Sequence, residues 1–348
     1  MLPPKKITNT MMKKRFRMSE FLAEKLITAT AFISFAFIVL IFIFVFRETL
    51  PIFSSPEAVV SAEELGEQET YGEIVLSDAE KASEEKEKSK VVEDEGASIK
   101  NLAGERWQPI SSKPKYGLLP LIVGSLKVSL IAVLIAAPFG ILAALFTAAF
   151  APKWAKEILK PAIEILAGFP SVVIGFFALV VLATFVQDLF GLEYRLNAFV
   201  GGVALSLAVI PIIYTISEDA ISAIPKSLTE ASLALGATKW QTALKVILPA
   251  ATPGIFAAIL LGIGRAFGET MIVMMATGNA ALMSFTPFEP VRTMSATIGA
   301  EMAEVVFGET HYNVLFLIGS ILFLFTFALN AIAEIFVRQR LMKKFRGN

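Results

Sequence analysis

Arg265 and Glu269 stand four residues apart in LGIGRAFGETMIVMMATGN (261–279), where residues 251–277 are otherwise almost entirely apolar. An arginine at the centre of a membrane helix costs about 2.5–3.5 kcal/mol on insertion scales. Residues four apart share a helix face, so Glu269 offsets part of that cost, although Arg before Glu is the weaker order. Two chemistries fit. In one, the ion pair only holds helices together. In the other, it lines the path of an anion: a guanidinium offers a planar fork of donors that grips oxyanion oxygens in pairs. The carboxylate then holds the fork when no anion is present and keeps binding weak enough for release. Thr270 can donate its hydroxyl to an anion or back-bond to its own helix. Gly262, Gly264 and Gly268 expose backbone beside the pair, and the Gly264–Gly268 spacing suits close helix approach. Lys127, between Ser125 and Ser129, lines an outer vestibule or snorkels to the membrane interface.

The surrounding composition says what must position these groups. The chain has 348 residues, 55% of them hydrophobic, including 29 Phe, and a mean hydropathy of +0.67. That balance predicts an all-α membrane protein. Apolar runs long enough to cross a ~30 Å hydrocarbon core cover 26–46, about 118–150, 163–187, 199–217, 251–277 and 313–336, which predicts six spans. Pro138 is a candidate bend in the second run. The first run follows a basic segment, 1–25, and is too long for a signal-peptide core with no A-x-A site after it, so it reads as an uncleaved anchor. Lysines between spans two and three (Lys153, Lys156, Lys160) and four and five (Lys226, Lys239, Lys245) fall on the same side as the basic N-terminus and the basic tail 337–348. By the positive-inside rule that side, with both termini, is the cytoplasm. Residues 47–117 form a charged extracytoplasmic insert. Within it, 57–106 carry 15 acidic and 6 basic side chains, the mark of a solvated, loosely structured segment. Residues 118–336 make the membrane core.

A polar segment within that core, 218–250, carries the second pattern. Ser227 and Glu230 fit a capping box, a short helix runs to Gly236, and a second short helix holds Trp240, Leu244 and Val246 before Pro249 ends it or starts the next span. The expected shape is a helix–Gly–helix elbow on the cytosolic face, with Ala231, Leu235 and Trp240 as apolar surface. Glu230-Ala231-Ser232, then Gly236, then Val246-Ile247-Leu248-Pro249 resemble the EAA loop of ABC importer permeases, with Ser232 where Ala is usual. GRAFGETMIVMMATGN (264–279) resembles the signature of phosphate ABC transporter permeases of the PstC type. WQP (107–109), GLLPLIVGSL (117–126), IEILAGFPSVVIGF (163–176) and VRTMSATIGAEM (291–302) agree with it. The acidic insert and Lys127 depart from it.

The resemblance implies a type I importer permease (MetI-like) fold and a part for Arg265 and Glu269 in phosphate passage. It implies that Glu230, Ala231, Ser232, Leu235, Gly236, Trp240 and Pro249 belong to the loop that seats on an ATPase. The implied partners are a PstA-type sister permease, two PstB-type ATPase subunits that bind the ATP, a PstS-type phosphate-binding protein and membrane lipid; nothing points to nucleic acid. Without a G-x-x-x-x-G-K-[ST] run the chain is not expected to hydrolyse ATP or to hold a cofactor, and with no Cys and one His no metal site is expected. His311 reads as an interfacial residue before span six, Glu164 as a boundary residue of span three, and Arg292 as an outside residue suited to docking. Besides a non-transporting membrane sensor that uses the acidic insert, two alternatives stay open. One is an importer of another oxyanion such as phosphonate, molybdate or sulfate. The other is a proton-coupled transporter using Glu269, although the inverted repeat common in such folds is not visible.

Overall fold

The computed structural model describes residues 18–53, 99–111 and 113–345. The basic residues of 1–17, nearly all of the acidic insert and the last three residues lie outside these. Helix α1 spans Met18–Thr49 and α2 Ile99–Leu102. A small hairpin pairs β1 (Trp107–Gln108) with β2 (Lys115–Tyr116), Trp107 opposite Tyr116. Then come α3 (Leu119–Phe150), α4 (Lys153–Ala167), α5 (Ser171–Phe190) and α6 (Ala198–Ser222). They are followed by α7 (Lys226–Ala234), α8 (Lys239–Phe267), α9 (Met271–Ala276), α10 (Met294–Glu301) and α11 (Thr310–Phe345). Six of these helices, α1, α3, α5, α6, α8 and α11, are long and apolar enough to cross a membrane.

Three expected spans change their bounds. The third does not start at 163. Residues 153–167 form α4, a separate amphipathic helix ended at Gly168, and α5 starts after Pro170. Four charged side chains within 153–160 and the Gly-Phe-Pro break explain this: the apolar run of 163–187 is two helices read as one. Glu164 accordingly lies on α4, exposed, before the span rather than at its start. The fifth span starts earlier, at Lys239, and stops at Phe267, so 251–277 is not continuous helix; Gly268, Glu269 and Thr270 break it before α9. The fourth runs on to Ser222. Pro138 sits inside α3 without interrupting it.

The bundle is organised around α6, which packs against α3 and α8, while α8 packs against α11 and α1 chiefly against α11. One core, including Val128, Leu205, Val209, Ile213 and Ile272, joins α3, α6 and α9. A second gathers Trp107, Tyr116, Leu121, Phe267, Met294 and Leu315 at the end where α8 stops. A third joins Leu145, Tyr214, Ile221 and Ile247 at the elbow end. Between membrane helices lipid competes equally for apolar faces, so association relies on close packing at small residues. A Cβ on Gly202 of α6 would stand 2.5 Å from Ile131 Cγ2 of α3. The variant Gly202→Val is therefore expected to destabilise the purified chain by roughly 1–3 kcal/mol, the range for overpacking. Adding Ile131→Ala should recover part of the loss. Unchanged thermal unfolding of the single variant would show that α3 and α6 do not meet here.

Candidate translocation and coupling sites

Arg265 lies in the last turn of α8, at the end of the bundle opposite the elbow. Its Nη1 donates to Glu269 Oε2 at 2.5 Å, and the two side chains are 41% and 4% exposed. The pair forms as expected from the spacing, but not in mid-helix. Glu269 sits just past the helix end, where the Gly268 amide still bonds to the Gly264 carbonyl. That break is built in from α10: the Ser295 hydroxyl donates to the Glu269 carbonyl oxygen at 2.6 Å. Thr293 caps α10 by accepting from the Ala296 amide, and the Met294 amide donates to Ser125 of α3. A buried carboxylate is thus fixed in place while its guanidinium partner reaches outward. An arginine has five N–H donors; with one on Glu269, others remain for an oxygen-rich anion.

The structure brings only two of the four expected pathway residues together. Thr270 is the residue just before α9, and its methyl occupies the place where a side chain on Gly299 of α10 would project, so it packs against α10. Lys127 is half-buried on α3, and its Nζ donates to the Thr286 carbonyl at 3.0 Å. It is tied to the 280–290 loop rather than to the Arg265 pair. Of the nearby glycines, Gly262 packs against Ile213 of α6, and Gly264 faces Asn330 of α11.

The elbow forms with one shift. The capping box is not at Ser227 and Glu230: α7 already starts at Lys226 after an extended Pro225, which puts Ser227 inside the first turn. It lies instead at Thr238 and Gln241, where the Thr238 hydroxyl accepts from the Gln241 amide and the Gln241 side chain accepts from the Thr238 amide. Gly236 joins the two helices at φ +84°, a conformation that costs an L side chain roughly 1–2 kcal/mol. The Ser232 hydroxyl hydrogen-bonds that of Thr242 at 2.9 Å, bridging the two arms. Glu230 and Ala231 are exposed, as are Leu235 (89%) and Trp240 (56%), with Trp240 beside Phe150 of α3. Pro249 is near the start of the regular α-helical part of α8. Lys160 of α4 bonds Glu218 of α6 at 2.9 Å, and Ser222 donates to the other Glu218 oxygen.

A third constellation escaped the sequence reading. Glu301, at the end of α10, accepts from Trp107 Nε1 at 3.1 Å and pairs with Arg292 at 2.6 Å through Oε1. Its Oε2 meets His311 Nε2 at 2.9 Å. His311, at the start of span six as expected, is thus also a partner of Glu301, and Arg292 turns inward to Glu301 rather than outward for docking. Both motifs, WQP and VRTMSATIGAEM, were visible in the sequence, but nothing in either signals that they meet. Burial pushes the Glu301 carboxyl up, but the His311 and Trp107 hydrogen bonds and the Arg292 charge outweigh it and leave it below its ordinary 4.5. A depressed carboxyl contributes stability that is present above the unfolded value and lost as pH falls through the folded one. Thermal unfolding of the full chain is expected to weaken below about pH 4.5, with Glu301→Gln lacking that component. Identical pH profiles for the two would remove Glu301 as the source.

A bundle of six membrane-length helices with a helix–Gly–helix elbow and a charged pair at a helix break has the makings of a transport permease. The family model for binding-protein-dependent transport system inner membrane components matches residues 136–341, and the chain belongs to that family. It is a multi-pass protein of the bacterial inner membrane and a permease of the ABC importer class. It is 42% identical to the probable ABC transporter permease protein YqgH of Bacillus subtilis, over 66% of this chain and 74% of that one. It is 35% identical to the phosphate transport system permease protein PstC of Mesorhizobium japonicum, over 67% and 76%. Among solved structures it is similar to the MetNI methionine ABC transporter, with a TM-score of 0.45 and 21% identity over 63% of this chain and 94% of that one.

Proposed function

We propose that the chain is one permease half of an ATP-driven inorganic phosphate importer. The observation that carries this reading is the half-exposed Arg265 guanidinium held by the buried Glu269 carboxylate at the end of α8. A cation so placed needs water or a partner chain beside it, and a path between two permease subunits supplies both. The phosphate assignment draws on relatives that bear the name of a phosphate permease. The elbow and both termini face the cytoplasm, in line with the lysines of 153–160 and 226–245. A PstA-type sister permease completes the path. Two PstB-type ATPases hold the two elbows, and a PstS-type protein delivers phosphate from outside. Closure of the ATPases draws the elbows together and switches access from one side to the other.

Glu269 keeps the site from becoming a trap. Each anion that reaches Arg265 competes with a carboxylate already in place, so binding is an exchange and release is not uphill by the whole ion-pair energy. Radiolabelled phosphate uptake tests this. Arg265→Gln combined with Glu269→Gln, which leaves no buried charge unpaired, is expected to abolish uptake with assembly of the complex intact, and normal uptake would take the pair off the path. Competition by molybdate, sulfate or phosphonate at equal potency would reassign the substrate.

The elbow generates a second test. Space around Gly236 is open, so a side chain there strains only the backbone. Gly236→Val is expected to leave ATP hydrolysis by the purified complex no longer linked to transport. Gly236→Asn should retain most coupling, because Asn tolerates the left-handed region. Equal coupling in both variants and wild type would dismiss the elbow as the mechanical link.

A further inference from the structure

Where α3 and α6 end and the elbow begins, the chain forms a half-open cavity of about 510 Å³. It is distinct from the Arg265 pair, which lies at the opposite end of α8. Lys156 of α4, Lys226 of α7 and Lys239 of α8 line it from three separate elements, with one carboxylate, Glu230, among them. Lys156 donates to the Ala148 carbonyl at 3.3 Å. Among the described residues neither Lys226, Lys239 nor Glu230 has an ion-pair partner within 4.0 Å. Three lysines and one glutamate on the walls of one concave space leave it with an excess of positive charge, which an anion offsets. Leu233 and Ile247 add apolar lining. The cavity also holds far more than an inorganic ion needs, so a phosphate carrying an organic group fits as well as a bare one.

The faces of α7 agree with this. At 100° per residue, Lys226, Glu230 and Leu233 share one side, whereas Leu228, Ala231 and Leu235 share the other. The apolar side is free for a protein partner while the basic side borders the cavity. α4 supports a membrane-boundary position: Trp154, Ile158 and Ile165 form an exposed apolar stripe, opposite the side that bears Lys156 and Lys160, as in helices that lie in the interface. Basic pockets between membrane helices at that depth hold phosphate head groups.

We propose that this cavity is a phosphate-group site at the membrane boundary, in which Lys156, Lys226 and Lys239 neutralise a phosphate-bearing anion and Glu230 limits its affinity. The site does not depend on the import reading. The ligand's source is an anionic phospholipid head group or free inorganic phosphate, and the two arms of the test separate them. The full chain, carrying Arg265→Gln and Glu269→Gln so that binding at that pair is not counted and no buried charge is left unpaired, is purified in neutral detergent. In one arm, native mass spectrometry follows retention of phosphatidylglycerol against phosphatidylcholine. In the other, equilibrium dialysis of the chain in phosphatidylcholine nanodiscs follows radiolabelled inorganic phosphate.

At roughly 1 kcal/mol per lysine near an anionic surface, K226Q/K239Q is expected to weaken binding about thirtyfold in the arm whose ligand fills the site. K153Q, on α4 but outside the cavity, should change nothing, and E230Q should tighten binding. Selective loss in the first arm assigns the lipid, and in the second the free ion. If K226Q/K239Q binds like its parent in both arms, the proposal is overturned.

Discussion

A buried carboxylate with one cation to answer it organises this molecule. Glu269 is 4% exposed, and among the described residues its ion-pair partner is Arg265 alone. An isolated buried charge is far costlier than a paired one, so Arg265 must stay within reach of it. Reach is secured by ending α8 at Phe267 and pinning the next residues to α10 through Ser295. The pins on α10 run on to Ser125 of α3. The break, the short helix α9 and the orientation of α10 are therefore parts of one arrangement, whose visible product is a guanidinium facing outward at the end of a membrane helix.

The two ends of the bundle are built differently because they meet different surroundings. Opposite the elbow, Glu301 gathers Trp107, Arg292 and His311, which ties the segment before α3 to α10 and α11 with hydrogen bonds aided by charge. Such a tie is directional and resists sliding. At the elbow, Gly236 and the Ser232–Thr242 bond set an angle, while Leu235 and Trp240 stay exposed. A fixed angle with an open apolar surface suits force transfer to another protein. The Lys160–Glu218 bond joins α6 to α4 beside that region.

Much of this was legible in the residues. Hydropathy found all six spans, because twenty apolar residues have few other uses. The elbow was legible because Gly236 permits a backbone that other residues resist. The Arg265–Glu269 contact followed from the i, i+4 spacing. What could not be read were breaks within apolar runs. Gly168-Phe169-Pro170 and Gly268-Glu269-Thr270 are short, and a hydropathy window averages over them. Thr238, not Ser227, caps a helix because Pro225 had already set the start of α7. Ser232, a departure from the family pattern, is the hydroxyl that joins the two arms. Contacts between residues distant in sequence were silent: Glu301 with Trp107 and His311, and Lys127 with Thr286.

The most direct measurement is a structure of the assembled transporter with phosphate bound. The Arg265 guanidinium should face the boundary between the two permease chains, open to the anion's route and still beside Glu269. Finding it turned toward lipid, or sealed among helices of its own chain with the anion passing elsewhere, would contradict the central claim, even with the family assignment unchanged.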